Sequence, residues 1–117
     1  MEYIELDVWV ESRKLVKNIY DFTKHFPREE LYGLTSQMKR SSTSVPANIA
    51  EGFGRRTSPD TIQFLHIARG SLYELETQCN LAFDKFLLTK ENFDTSLNQI
   101  KIYKKLLNGF INYYSDR

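Results

Sequence analysis

Seven cations in this chain are spaced so that they could neutralise phosphates. Lys101, Lys104 and Lys105 stand at spacings of 3 and 1, Arg55 and Arg56 are adjacent, and Lys39 is followed by Arg40. Phosphate binding grows with the number of charges neutralised, so even modest clusters form a continuous basic track when repeated around an oligomer. The plainer role for such lysines is a solvated helix face. Two carboxylates, Glu51 and Glu74, could be read as an acid–base pair. However, Arg69 lies five residues before Glu74 and Asn48 three before Glu51, and buried carboxylates need such partners. The expectation is therefore a structural polar network of Asn48, Glu51, Arg69 and Glu74.

No catalytic constellation accompanies these groups. The two histidines, His25 and His66, are not spaced to share a helical face with the one cysteine, Cys79, and neither HExxH nor CxxC occurs. Cys79 falls on an apolar helical position and reads as a small core residue. Gly52-Phe53-Gly54-Arg55-Arg56 holds only two glycines of a dinucleotide fingerprint and leaves a helix rather than joining a strand to one. It reads as a helix terminator. The chain is expected not to be an enzyme, with no catalytic residues, no metal site and no cofactor.

The bulk properties narrow the partners. With 117 residues the chain, 1–117, suits a single domain, and 16 basic against 15 acidic residues leave a net charge of +1. No global field draws it to nucleic acid or anionic lipid, so such binding must be local. By segment the charge alternates: residues 1–30 and 57–95 carry more acid than base, while 31–56 and 96–117 each carry four bases and one acid. Alternation of this kind supports helix pairing. The opening MEYIELDVWV lacks the basic start and apolar run of a signal peptide, no segment reaches the roughly 20 apolar residues of a membrane span, and a lone cysteine suits a reducing compartment. A cytoplasmic protein with no membrane association is expected.

The elements that must position the cations are helices. Val8, Ser12, Leu15, Ile19, Phe22 and Phe26 step by 3 and 4, with Asp7 as cap and Pro27 as stop. PREELYGL can form only a turn or a short helical segment. Leu34, Met38, Val45, Ile49 and Phe53 define a second helix closed by Gly52 and Gly54. The third opens at Ser58-Pro59-Asp60, with Ser58 as cap, and carries Ile62, Leu65, Ala68, Leu72, Leu75, Cys79, Ala82 and Phe86. The fourth starts after Thr89, with Leu97, Ile100, Tyr103 or Lys104, Leu107, Phe110 or Ile111, and Tyr114 inward. Ile102, Leu106 and Tyr113 widen its apolar face beyond one seam, which points to a second buried contact and to oligomerisation.

Four amphipathic helices with short connections predict an all-α, antiparallel up-down-up-down four-helix bundle. Pro46 lies inside the second helix, where it removes the bond to the Ser42 carbonyl at a cost of about 3 kcal/mol. Because the apolar phase survives on both sides, the spacing predicts a proline-kinked helix, with Ser41, Ser42, Thr43 and Ser44 offering hydroxyls to nearby carbonyls.

A longer pattern runs through the same stretch. Arg40, Ser44-Val45-Pro46-Ala47-Asn48-Ile49-Ala50-Glu51-Gly52 and Gly54-Arg55-Arg56 continue into Phe64-Leu65, Ala68-Arg69-Gly70-Ser71 and Glu74-Leu75-Glu76-Thr77-Gln78, after Leu6-Asp7-Val8-Trp9 and Phe26-Pro27. The whole resembles the 23S ribosomal RNA intervening-sequence proteins, bacterial four-helix bundles related to the accessory protein of diversity-generating retroelements. The resemblance implies a bundle that assembles as a ring of five and a non-enzymatic role with RNA or as a scaffold. The accessory protein binds a reverse transcriptase and nucleic acid through a basic ring.

Two functions are expected in order. The first is a homo-oligomeric helical protein, a pentamer by resemblance, associated with structured ribosomal RNA through Lys39, Arg40, Arg55, Arg56, Lys101, Lys104 and Lys105. The second is a protein-interaction scaffold without nucleic-acid binding, docking a partner through Tyr103, Phe110, Tyr113 and Tyr114.

Overall fold

The computed structural model describes residues 7–116, which form four long helices: α1 (Asp7–Thr23), α2 (Ser36–Phe53), α3 (Ser58–Asp84) and α4 (Lys90–Ser115). There is no strand among the described residues. The main helix contacts follow the cycle α1, α2, α3, α4 and back to α1. The extents are 46 × 23 × 21 Å, the long one set by α3 and α4, since 27 residues at about 1.5 Å each reach about 40 Å.

The helix ends follow their capping chemistry. Thr89 is extended and accepts the Asn92 N–H at 3.1 Å. At α3 the cap is Thr57, not Ser58: it is extended and accepts the Asp60 N–H at 3.3 Å, leaving Pro59 in the first turn, where no N–H is needed. α1 is described from Asp7 onward, and Leu6 of the sequence pattern lies outside the described residues. Although α1 ends at Thr23, Phe26 still packs into the core. The segment after Pro27 is a short 3-10 turn (Arg28–Glu30) followed by one π turn (Leu31–Thr35) that leads into α2, with Gly33 departing from helical geometry at φ −110°, ψ −115°. Glu30 pairs with Lys85 at the far end of α3, and that ammonium holds its carboxyl below the usual carboxylate range.

One residue expected in the core is turned out. α3 closes with Leu87 N–H donating to the Ala82 carbonyl at 2.9 Å around Phe86, which takes the left-handed conformation at φ 61°. The reversal swings Phe86 into solvent, 94% exposed, and brings Leu88 into the core instead.

Elsewhere the apolar stripes converge as expected. Leu15, Ile19, Met38, Ile49, Leu65, Leu72, Ile100 and Leu107 are fully buried, and the phase of α4 settles on Tyr103 and Ile111 rather than Lys104 and Phe110. Cys79 is buried, and loss of hydration pushes its thiol from the ordinary 9.0 up to about 12.

The α2–α3 seam is built from small and polar side chains. The seven-residue gap between Met38 and Val45 is filled by the buried Ser41 and Ser42. Ser41 Oγ donates to Gln78 Oε1 at 2.6 Å and Ser71 Oγ to Ser44 Oγ at 2.9 Å, while Asn48 Nδ2 donates to the Ser44 carbonyl at 2.8 Å. α2 continues through Pro46, and the preceding hydroxyls take nearby carbonyls: Ser42 Oγ and Thr43 Oγ1 both donate to the Lys39 carbonyl. Further along, Thr61 Oγ1 donates to the Gly52 carbonyl at 2.8 Å, and a Cβ at Gly52 would stand 3.1 Å from both Phe64 Cβ and the Thr61 carbonyl oxygen.

Candidate nucleic-acid interface

The seven candidate cations divide into paired and unpaired groups. On α2, Lys39 Nζ lies 4.9 Å from the Tyr20 ring centroid and Arg40 pairs with Glu74 of α3 at 3.2 Å. In the α2–α3 turn Arg55 pairs with Glu51 at 2.8 Å, its guanidinium 4.5 Å from the Phe64 centroid, and Arg56 is exposed. On α4, Lys104 pairs with Glu76 of α3 at 3.0 Å and lies 4.3 Å from the Tyr73 centroid, whereas Lys101 and Lys105 are exposed and form no ion pair among the described residues.

Charge alternation thus appears as real contacts: Arg40–Glu74 and Lys104–Glu76 join the basic helices to acidic α3. Exposed pairs of this type contribute about 0–1 kcal/mol, so Arg40, with 63% of its side chain accessible, can exchange a carboxylate for a phosphate at little cost. Lys104, with 17% accessible, is held in place.

The expected polar network does not form. Asn48 bonds Ser44, Glu51 bonds Arg55 in the turn that follows its own helix, and Glu74 bonds Arg40. Arg69 faces α4, donating to Asn108 Oδ1 at 2.7 Å and to His66 Nδ1 at 3.0 Å. The reason is rotational. Buried Ala68 and Leu72 set the inward side of α3, leaving Arg69 at the α4 seam, while Glu51 and Glu74 emerge into solvent. The Glu51–Arg55 bond has the i,i+4 spacing that could have revealed it. Among the described residues no group of three or more His, Cys, Asp or Glu could hold a metal.

One surface was only partly foreseen. An open groove of ≈600 Å³ runs along the outer side of α4, lined by Lys105, Leu106, Gly109, Phe110, Tyr113 and Tyr114, with Phe53 from the end of α2. Phe53 meets Phe110 at 5.6 Å and Tyr114 at 5.7 Å, both edge to face, and Tyr113 meets Tyr114 at 5.1 Å. Phe53, read as core, is a wall of this groove. Tyr103, read as a docking aromatic, is buried, and desolvation, reinforced by Glu11, raises its hydroxyl above the usual tyrosine range. From Ser96 to Ser115 the helix carries three lysines and no acid.

This is a helical bundle whose last helix carries three lysines and no acid from Ser96 to Ser115, and the sequence profile of the 23S rRNA-intervening sequence protein family matches residues 4–109. The chain belongs to that family. A crystal structure at 1.70 Å of a protein of unknown function from the S23 ribosomal protein family of Bacteroides thetaiotaomicron is similar, with a TM-score of 0.80 and 27% identity over 89% of this chain and 97% of that one. No curated protein matches the chain. The 23S rRNA-intervening sequence family match ends at Gly109, so Phe110, Tyr113 and Tyr114 lie just beyond it. No helix among the described residues is long and apolar enough to cross a membrane.

Proposed function

We propose that this protein is a non-enzymatic, homo-oligomeric helical protein that associates in the cytoplasm with structured ribosomal RNA. The observation that carries the reading is the acid-free stretch of α4 from Ser96 to Ser115, with Lys101 and Lys105 in no ion pair among the described residues, on a member of a family described by 23S rRNA intervening sequences. Arg56 adds a further exposed cation, and Lys39, Arg40 and Arg55 can turn to phosphate from weak surface contacts. The up-down-up-down order, a bend at Pro46 and a ring of five belong to the same reading. The interhelix bonds 41 to 78, 44 to 71, 69 to 108 and 76 to 104, falling on one helix as they rise on the other, support the alternating order.

The test is binding of a labelled 23S rRNA hairpin across a salt series. Each phosphate contact contributes about 0.7–0.9 to the slope of log affinity against log salt, so removing Arg55, Arg56, Lys101, Lys104 and Lys105 together as alanines should flatten that slope and weaken binding. Unchanged binding in that variant, or no retention of RNA by the wild type at low salt, overturns the proposal. Light scattering tests assembly: a monomer at tens of micromolar would remove the oligomer from it.

A second reading, a protein-interaction scaffold, is favoured by the exposed Ile102, Leu106 and Tyr113 on α4. It requires a partner held through high salt with no nucleic acid present.

A further inference from the structure

We infer that the groove along α4 takes an unpaired stretch of RNA, with a base laid on Tyr113 and the backbone phosphate against Lys105. The inference rests on the RNA-associated reading and narrows it from charge alone to one site and one kind of strand. An A-form helix hides its bases in a deep, narrow groove, so a ring-lined site meets bases only in loops, bulges and ends. Aromatic rings beside cations are the common means of holding such strands.

Three features of the groove favour this occupant. Tyr113 leaves 51% of its surface to solvent, while its orientation is braced by Tyr114, which is itself braced by Phe53. Gly109 stands midway between Lys105 and Tyr113 with open space where a Cβ would be, so no side chain blocks the path between them. At about 1.5 Å per residue that path is about 12 Å along α4, a span that an extended dinucleotide bridges. Among the described residues no carboxylate lines the groove to repel a phosphate, and its ≈600 Å³ lies within the usual range of ligand clefts.

The test uses the full chain and three labelled probes: a short oligouridylate, an abasic ribose-phosphate strand of the same length, and an RNA duplex. Tyr113→Ala should weaken oligouridylate binding by about 5- to 150-fold, the factor that corresponds to one stacked base. Tyr113→Phe should restore it, and the abasic strand should bind weakly to wild type and Tyr113→Ala alike. Lys105→Gln should weaken the oligouridylate and the abasic strand together, and the duplex should be indifferent to Tyr113. If Tyr113→Ala leaves oligouridylate binding intact while the lysine variants reduce it, the RNA reading stands and this site assignment falls. If the wild type binds none of the three probes, both fall. If Tyr113→Ala lowers the mass in light scattering without touching RNA affinity, the groove is a contact between copies and the assignment is overturned. Circular dichroism on each variant keeps loss of fold separate from loss of binding.

Discussion

Replacing Gly52 by alanine should destabilise the bundle, whereas the same replacement at Gly70 should stabilise it. Both glycines lie within helices, so alanine brings each the same local gain of about 0.5–1 kcal/mol from reduced backbone freedom in the unfolded chain. At Gly70 nothing lies within 4 Å of the new methyl, and the gain stands alone. At Gly52 the methyl meets Phe64 Cβ and the Thr61 carbonyl oxygen at 3.1 Å, a few tenths of an ångström inside ordinary contact. Neither neighbour is the loose end of a flexible chain. One is backbone in the first turn of α3, and the other is fixed to the backbone three residues on. Separating the helices also stretches the bond from Thr61 Oγ1 to the Gly52 carbonyl, now 2.8 Å. Overpacking of this kind costs about 1–3 kcal/mol, so the net loss should be about 1 kcal/mol, or roughly 4 °C in midpoint. Urea denaturation of wild type and the two variants, at one fixed protein concentration because the protein is proposed to self-associate, measures both. A Gly52→Ala protein as stable as Gly70→Ala would refute the claim that α2 and α3 touch backbone to backbone there.

Four further outcomes can be measured on the same protein. Phe86→Gly should raise stability by about 0.5–1 kcal/mol, because a left-handed residue with a side chain costs about 1–2 kcal/mol and the exposed ring has little packing to lose. Cys79, with its thiol pushed up to about 12, should resist alkylation at pH 8 by about three orders of magnitude relative to the unfolded chain. Stability should also fall as pH rises from 9.0 toward 12, since the folded state keeps a proton that the unfolded thiol releases. Ser41→Ala should cost about 1–3 kcal/mol in chemical denaturation by leaving buried Gln78 Oε1 without its donor, and Gln78→Leu on the same background should recover part of it.

Much of the fold was legible because apolar spacing on a helix reports burial directly. The steps from Val8 to Ile19 and from Leu65 to Ala82 coincide with buried positions, and Thr89 caps as its residue type suggests. The spacing failed at Phe86 because periodicity assumes that the helix continues, and a single left-handed residue breaks the phase without any glycine to announce it. The polar network was misread for a related reason. A shift of one residue turns a side chain by about 100° around a helix, so Arg69 reaches α4 instead of α2. The groove needed three dimensions, because Phe53 joins Phe110 and Tyr114 from a helix more than fifty residues earlier. The cations were legible as residues, but their pairing was not: Lys104 and Lys105 are neighbours in sequence, yet one is bound to Glu76 and the other faces solvent.

The polar bonds between helices are unevenly shared. α3 is tied to α2 through Gln78, Ser71, Glu74 and Thr61, and to α4 through Arg69 and Glu76. Among the described residues α1 meets its neighbours mainly through apolar packing, its polar links including Asn18 to Gln99, Lys39 over Tyr20 and Glu11 beside Tyr103. Apolar contacts tolerate sliding, whereas directional bonds do not. The molecule therefore divides into α2, α3 and α4, bonded to one another, and α1 packed against them, and native-state amide exchange should divide along that line. α1 should open first, uncovering Leu15 and Ile19 while α2, α3 and α4 remain associated.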